Sequence, residues 1–546
     1  MDLTAKPFYL TEEELAGVNK TLAAMTDDEK LGQLFCVMGG DFSMEQLRDM
    51  AAHGYIGGVL FRPVRPGEEI RADLDALDAV AKVPLLKAAN LEEGGSGGMA
   101  DGTLYGWPML VAATDDVQEA RRFGLVCGSE GASIGVNISY SPVSDLDLNY
   151  RNPITNVRTF GSEQKRVETF TRAYMEAMQS CGVAACAKHF PGDGVDFRDQ
   201  HLHTTYNSLN AREWYDSYGK IYKNLIEGGL FAVMAGHIAQ SNVALDARPE
   251  LSCEEAMMPA TLSKTLLTDV LRGRLGFNGL ITTDATIMAG FTQAMERRCA
   301  LPAAITAGCD MLVFNTDFEE DRSYLKKALA SGELTMERLN EAVARILALK
   351  AALGREYPHS AVPAVQWSRE CADKAVTMVK NTQPDKLPMT PERYPNILLI
   401  PLGEDGMIGG SVTEATKAYL ESKGFAVSVY DWETDDLHGT SNLPADRLTL
   451  YIANFEQRSN QTTIRIPWSP KHALNVPRHP NEEVSVFVSL ANPYHLQDVP
   501  RVRTYINAYT ATCDTIALTI DKLMGKSSFI GTSPVDAYCG LPDTRL

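Results

Sequence analysis

Three features that define other classes of protein are missing from this chain. No stretch approaches the ~18 consecutive apolar residues of a membrane-spanning helix. The start carries no basic segment followed by an apolar one, so we expect no secretory signal and a cytoplasmic location. The ten cysteines form no Cys-x-x-Cys pair, and several, such as Cys36, Cys186 and Cys309, lie inside apolar runs. We interpret them as small core residues rather than as disulfides or metal ligands.

Positive charge is also scarce. The 546 residues carry 51 Lys and Arg against 70 Asp and Glu, a net charge of −19. This balance argues against nucleic acid or an anionic membrane surface as a partner and favours a neutral or cationic small molecule. The length allows two or three domains, each with a sizeable core.

Short apolar runs alternate with segments of helical periodicity through the first two thirds of the chain. Runs that are apolar throughout are typical of strands buried on both faces, and their alternation with helices favours parallel crossovers. Eight such runs predict a (β/α)8 barrel over residues 1–355. They cover 34–38, 58–61, 84–89, 135–140, 183–187, 231–234, 279–283 and 311–314.

A domain boundary follows the helix predicted over 337–353. Residues 356–395 are rich in proline and are predicted to be a linker with one helix over 367–381, where proline and glycine are absent. From 396 to 546 we predict a smaller, doubly wound α/β domain. Its predicted elements are strands over 396–401, 426–430, 448–453 and 484–490 and a helix over 413–422.

Polar or ionisable residues stand just past the ends of six predicted strands. The carboxyl ends of barrel strands meet on one face, which carries the active site in barrel enzymes. Residues far apart in the sequence are therefore expected to line one pocket. They are Asn90, Asp145, Lys188 with His189, His237, Asp284 and Asn315.

Residues 188–203 concentrate titratable groups, with three His, three Asp, one Arg and one Lys. Two glycines and a proline predict that most of this stretch is a loop at the end of a strand. Asp199 and His201 suit an acid/base pair in which the carboxylate orients the imidazole. A solvated loop with a hydrogen-bonded histidine is the alternative.

Asp284 ends the strand predicted over 279–283. A carboxylate held there, with His201 arriving on a loop, would supply a nucleophile and a general acid, the two groups that a retaining glycosidase requires. The competing interpretation is that Asp284 caps the following helix, because Asp is favoured at that position.

Several segments match, in order, the motifs of one known family. They are 25–35, 56–61, 141–147, 152–153, 158–161, 188–194 with Asp199-x-His201, 234–237, 259–263 and 276–284. On these segments the chain resembles glycoside hydrolase family 3, in particular its bacterial β-N-acetylglucosaminidase branch. The resemblance covers about residues 20–355 and, more loosely, the second domain through 489–494.

The resemblance implies a retaining, exo-acting β-N-acetylhexosaminidase that releases terminal N-acetylglucosamine, for example from peptidoglycan fragments, without a cofactor or a metal. Asp284 would attack the anomeric carbon and form a covalent glycosyl-enzyme. His201, partnered by Asp199, would protonate the leaving oxygen and then activate water. An imidazole suits both steps because its ordinary pKa is about 6.5.

Matching positions also imply contacts to the sugar. Arg158, Lys188 and His189 would lie in the first subsite, and His237 would make a further contact. From the residues alone, the alternatives are a surface ion pair for Arg158, a hydrogen-bonded strand end for Lys188 and His189, and a structural role for His237.

The chain departs from the family pattern in three places. Asp193 replaces the histidine of Pro-Gly-His-Gly, and Gln200 replaces the serine of Asp-Ser-His. In place of Asp-x-Glu-Gly-Gly the chain has Asn90-Leu-Glu-Glu-Gly-Gly. The sugar-binding aspartate then falls on Leu91 or Asn90, although Glu92 can substitute for it. We expect this third change to alter the substrate more than the chemistry.

Other functions remain open at this point. One is phosphorolysis by the same residues, because a neutral or cationic histidine repels incoming phosphate less than a glutamate would. Another is a different β-glycosidase activity of the family, and a third is a barrel that binds sugar without turning it over. His203 is an alternative proton carrier, but the Asp-x-His spacing selects His201.

Overall fold

The computed structural model describes residues 1–357, 361–431, 435, 444–468 and 476–546, so positions 358–360 of the predicted linker lie outside the described residues. The chain divides into two compact units. The first comprises Met1–Tyr105, Ala120–Asn152 and Gln164–Ala364. The second comprises Gly106–Glu119, Pro153–Glu163 and Val365–Leu546.

Eight parallel strands form a closed barrel in the first unit, as the apolar runs predict. Neighbours in the sequence are neighbours in the barrel, and the last strand pairs with the first. Nearly every strand residue is buried, because helices cover one face and side chains fill the interior. The strands are β1 (Phe35–Met38), β2 (Gly58–Leu60), β3 (Leu86–Ala89), β4 (Ile138–Ser139), β5 (Ala184–Phe190), β6 (Ala232–Ala235), β7 (Leu280–Ala285) and β8 (Met311–Val313).

Helices follow the barrel strands along the chain. The second helix is capped by Thr26 and Glu29: the Thr26 hydroxyl accepts from the Glu29 N–H at 3.3 Å, and the Glu29 carboxylate accepts from the Thr26 N–H at 2.9 Å. The longer helices before residue 355 are Glu12–Ala24, Asp27–Gln33, Met44–Ala52, Gly67–Asp78, Val117–Ser133, Gln164–Gln179, Lys220–Glu227, Ser241–Ala247, Thr265–Arg274 (π-helical), Arg297–Ala307, Phe318–Ser331 and Met336–Leu353.

The second unit is built on a six-stranded sheet with the order β9-β14-β13-β12-β10-β11. Its strands run parallel except β9, which pairs antiparallel with β14. Apolar side chains pack on both faces, and helices Val412–Ser422 and Cys513–Leu523 cover one of them. The strands are β9 (Thr377–Asn381), β10 (Asn396–Gly403), β11 (Ala426–Val429), β12 (Arg447–Asn454), β13 (Val484–Ser489) and β14 (Thr504–Asn507).

The helix predicted over 367–381 is partly wrong. The helix spans Ala364–Ala375, and the residues after it form β9. The β-branched residues Val376, Thr377 and Val379 favour extended backbone, and Met378 pairs with Ile506 of β14, so sheet pairing overrides the helical periodicity. Within the described ranges no helix has the length and apolar character to cross a membrane.

Candidate active site

Asp284 lies at the carboxyl end of β7 and is 9% exposed. Its Oδ1 accepts a hydrogen bond from the N–H of Ala285 at 2.7 Å. Its Oδ2 has no hydrogen-bond partner in the part of the chain that the structure describes, and His189 Nε2 lies 3.9 Å away. The carboxylate therefore does not cap a helix, and Oδ2 keeps its lone pairs for a bond to a substrate.

The surroundings of Asp284 favour its ionised form. Burial raises the pKa of this carboxyl, but the positive potential of His189, His237 and His201 and the Ala285 N–H outweigh burial and hold the pKa below its ordinary value. A carboxylate that stays ionised at neutral pH meets the first requirement of a nucleophile.

Asp199 and His201 form the pair that their spacing predicts. One oxygen of the buried Asp199 carboxylate accepts both from the His201 N–H at 2.8 Å and from His201 Nδ1 at 2.7 Å. The imidazole is 22% exposed. Because Nδ1 donates to Asp199, Nε2 is the nitrogen that can exchange a proton with a substrate. His203 is exposed, and its backbone N–H donates to the Asp199 carbonyl at 3.1 Å.

The segment that carries this pair is bonded to the short helix Ala289–Thr292, which follows β7. The N–H of Ala289 donates to the His201 carbonyl at 3.0 Å, and the Thr204 hydroxyl donates to the Gly290 carbonyl at 2.7 Å. A Cβ at Gly290 would collide with the Gln200 carbonyl oxygen, so this approach requires glycine. These contacts bring His201 to the strand end that holds Asp284.

Lys188, Glu92 and Asn90 form a second group at the strand ends of β5 and β3. The Lys188 ammonium, only 4% exposed, lies 2.5 Å from Glu92 Oε1 and 3.3 Å from Asn90 Oδ1. Glu92 is buried, whereas Asn90 is exposed. Leu91 is fully buried, and its carbonyl accepts from Tyr174 Oη at 2.5 Å, so Leu91 packs into the core. Asn90 and Glu92 are therefore the polar groups available in place of the family's aspartate.

His189 is oriented by Asp145, which is fully buried. The backbone N–H and Nδ1 of His189 donate to the two oxygens of this carboxylate at 3.1 and 2.7 Å. The N–H of Asp193 donates to the same carboxylate at 2.8 Å. With Nδ1 engaged by Asp145, Nε2 is the ring atom that faces Asp284.

His237 uses both ring nitrogens within the protein. Nδ1 lies 3.0 Å from the Thr261 hydroxyl, and Nε2 lies 3.1 Å from the carbonyl of Ala285. Burial lowers the pKa of this imidazole, although Asp284 and the Ala285 carbonyl oppose the change. These contacts favour the structural interpretation of His237 over a sugar contact, because the ring holds the end of β7 in place.

Arg158 belongs to the second compact unit, on the turn Asn156–Arg158. Its guanidinium donates to the carbonyl of Ile154 at 3.4 Å. Its contact with a sugar stays a prediction.

The sequence motifs did not show which groups hold the site together. Thr261 lies in the matched segment 259–263, but its role and that of Gly290 depend on residues that approach from distant parts of the chain. Gln200 and Asp193 did carry a signal, since both depart from the family pattern.

The fold and the site together define a class of protein. A parallel α/β barrel with an ionised carboxylate at one strand end and a carboxylate-oriented imidazole beside it has the groups of a glycosidase. Residues 26–349 match the family described as the glycosyl hydrolase family 3 N terminal domain. The chain belongs to glycosyl hydrolase family 3.

Three similar proteins have names that specify an activity. A β-N-acetylglucosaminidase/β-glucosidase of Cellulomonas fimi is 41% identical, and the match covers 100% of both chains. The β-glucoside phosphorylase BglX has a solved structure that is 44% identical and superposes with a TM-score of 0.91 over 100% of this chain and 99% of that one. A family 3 β-N-acetylglucosaminidase from Paenibacillus sp. str. FPU-7 shares the fold, with a TM-score of 0.77 and 22% identity over 94% of this chain and 99% of its own.

Proposed function

We propose that this chain is a retaining, exo-acting β-glycosidase that removes terminal β-linked N-acetylglucosamine, or glucose, from small glycosides. The observation that carries the proposal is that Asp284 lies at the end of β7 and that the segment of the Asp199–His201 pair is hydrogen-bonded to the residues just after that strand. One group is an ionised carboxylate, and the other is an imidazole that can give and take a proton.

In the first step of the proposed reaction, Asp284 Oδ2 bonds to the anomeric carbon while the bond to the leaving oxygen breaks. His201 Nε2 gives its proton to that oxygen, and Asp199 stabilises the imidazolium beforehand. In the second step neutral His201 takes a proton from water, whose oxygen displaces Asp284 from the sugar. Two displacements at one carbon retain its configuration.

The group of Asn90, Glu92 and Lys188 is the proposed binding site for hydroxyls remote from the reacting bond. A carboxylate and an ammonium 2.5 Å apart offer an acceptor and donors to neighbouring hydroxyls. Glucose and N-acetylglucosamine differ only in the substituent at C2, so one such group can serve both sugars. The Cellulomonas fimi relative is named for activity on both sugars.

A panel of aryl glycosides tests this proposal. We expect turnover of the β-N-acetylglucosaminide or the β-glucoside and little turnover of the N-acetylgalactosaminide or xyloside. A 2-deoxy-2-fluoro glycoside should label Asp284, detected by mass spectrometry of the digested protein. A label on another residue, or products of inverted configuration, would overturn the mechanism.

Phosphorolysis is the second candidate, and two observations favour it. The acid/base group is an imidazole rather than a carboxylate, so the site adds no negative charge where a phosphate would attack. The 44% identical full-length structure is named a β-glucoside phosphorylase. Product analysis with and without phosphate separates the two reactions. If sugar 1-phosphate forms in preference to free sugar, phosphate rather than water is the acceptor in the second step, and the first step is unchanged.

We also propose a cytoplasmic location and a small carbohydrate as the binding partner. All ten cysteines are free thiols, and Cys36, Cys186 and Cys309 are buried, which suits a reducing compartment. Cell fractionation with an antibody to the chain tests the location, and recovery in the culture medium would contradict it.

A further inference from the structure

Two of the residues that depart from the family pattern are in contact. Gln200 Nε2 donates to Asp193 Oδ2 at 3.2 Å. Gln200 Oε1 accepts from the backbone N–H of His237 at 2.9 Å. Asp193 and Gln200 are 2% and 0% exposed, so water does not compete for these bonds. Gln200 stands between Asp199 and His201, so its amide joins the acid/base segment to two points on the barrel.

We propose that Gln200 is a positioning residue that fixes the Asp199–His201 segment against the barrel by joining the Asp193 carboxylate to the His237 backbone. The inference rests on the proposed function of His201. Gln200 contacts neither the reacting atoms nor a sugar in this role. It sets where the His201 imidazole stands relative to Asp284, through the residues on either side of it in the chain.

Both ends of the bridge are rigid. Asp193 Oδ1 accepts from Asn152 Nδ2 at 2.9 Å and from the N–H of Gly194 at 2.7 Å, which leaves Oδ2 for Gln200. The other end is the backbone just past β6, where the His237 ring is fixed by Thr261 and Ala285. The Gln200 amide cannot turn over, because its NH2 group would then face the His237 N–H.

The bridge explains why Asp193 and Gln200 occur together. An aspartate without a donor opposite, or a glutamine without an acceptor opposite, would leave a buried polar group unpaired. Ala289 and Gly290 also hold the segment, and the N–H of Thr205 just after it donates to the His237 carbonyl at 3.2 Å. The bridge adds a buried attachment to Asp193 from within the acid/base pair itself.

The dependence of kcat/KM on the leaving group of the substrate tests whether the acid is correctly positioned. Glycosides of poor leaving groups need the proton of His201 in the first step, whereas dinitrophenyl glycosides do not. We expect Gln200→Met, which keeps the volume and removes both bonds, to lower kcat/KM about tenfold to hundredfold for an alkyl glycoside and less than about threefold for the dinitrophenyl glycoside. Gln293→Met is the matched control, since it removes an exposed bond to the Leu202 carbonyl of the same segment, and it should stay within about twofold on both substrates.

A reversed pair tests the bridge itself. Asp193→Asn alone sets one NH2 group against another and should resemble Gln200→Met. Asp193→Asn combined with Gln200→Glu restores one donor and one acceptor, because the carboxylate introduced at position 200 accepts from the amide introduced at position 193 and from the His237 N–H. We expect this double variant to recover at least about tenfold in kcat/KM for the alkyl glycoside over Asp193→Asn. Recovery of this kind is not expected if Gln200 merely fills space.

Three results would overturn the inference. They are equal losses on both substrates for Gln200→Met, full activity of that variant on the alkyl glycoside, and no recovery in the double variant when circular dichroism shows it folded. His201→Ala in the same series separates this inference from the proposed function. If the loss of kcat/KM in His201→Ala does not depend on the leaving group, the acid/base assignment fails. If that loss depends on the leaving group but the loss in Gln200→Met does not, only the role of Gln200 fails.

Discussion

Asp193 should make the barrel less stable as the pH rises from acid to neutral. Burial and the charge of Asp145, together with the charge of Asp199, raise the pKa of Asp193 to about 7, although the Gly194 N–H and the Asn152 amide oppose the rise. An aspartate in an unfolded chain has a pKa of about 3.9. A carboxyl with a raised pKa in the folded state contributes its stability below about pH 4 and loses it as the pH rises through about 7.

The size of the effect follows from the difference between the two pKa values. Each unit corresponds to about 1.4 kcal/mol, so roughly three units give about 4 kcal/mol between the two ends of this range. The test compares the free energy of unfolding in urea of the wild type and of Asp193→Asn across about pH 4 to 8. The wild type should lose about 4 kcal/mol relative to the variant. The variant's unpaired amide costs about 1–3 kcal/mol at every pH, so it leaves the slope unchanged.

Asp216→Asn is the control for this experiment. Asp216 is exposed, and its hydrogen bond to Lys220 lowers the pKa, so its contribution has the opposite sign. Parallel curves for the wild type and Asp193→Asn between about pH 4 and 7 would refute the reasoning. Infrared difference spectra give a direct reading, since a protonated carboxyl has a carbonyl band that the asparagine variant lacks.

Three further predictions concern the site. Asp284→Ala should abolish turnover of aryl N-acetylglucosaminides and glucosides while the thermal midpoint stays unchanged; turnover like that of the wild type would contradict the assignment. Glu92→Gln leaves the buried Lys188 ammonium without its counter-charge, so the free energy of unfolding in urea should fall by about 3–5 kcal/mol and KM should rise. Gly290→Ala drives a Cβ into the Gln200 carbonyl oxygen, so kcat should fall at least about tenfold with a small loss in thermal midpoint, and an unchanged kcat would count against the close approach.

The barrel was predictable from the sequence because its strands are buried on both faces. Each of β1 to β8 overlaps a largely apolar run whose character does not depend on which neighbour it pairs with. The second unit was less predictable. The prediction assigned β9 to a helix and did not include β14 or the helix Cys513–Leu523. β9 and β14 are short strands that stabilise each other, so neither is evident from its own residues.

The residues of the site were predictable where strand geometry alone places them. Lys188, His189 and Asp284 meet because parallel strands end on one face, and Asp199 and His201 pair because they are two residues apart. Their partners were not predictable in the same way. The contacts of Lys188 with Glu92 and of Gln200 with His237 join residues 96 and 37 positions apart, and they exist only in the folded chain.

The departures from the family pattern fall into two groups that act on different properties. Gln200 of the acid/base segment bonds to Asp193, whereas Asn90 and Glu92 contact the Lys188 ammonium at the ends of β3 and β5. Under the proposed function, a change around Lys188 would alter which hydroxyls are recognised without moving the acid/base pair. A change in the Gln200 bridge would move that pair without altering the proposed hydroxyl contacts. This separation accounts physically for a chain that keeps Asp284 and the Asp199-x-His201 spacing of the family motifs while the Asp-x-Glu-Gly-Gly motif differs.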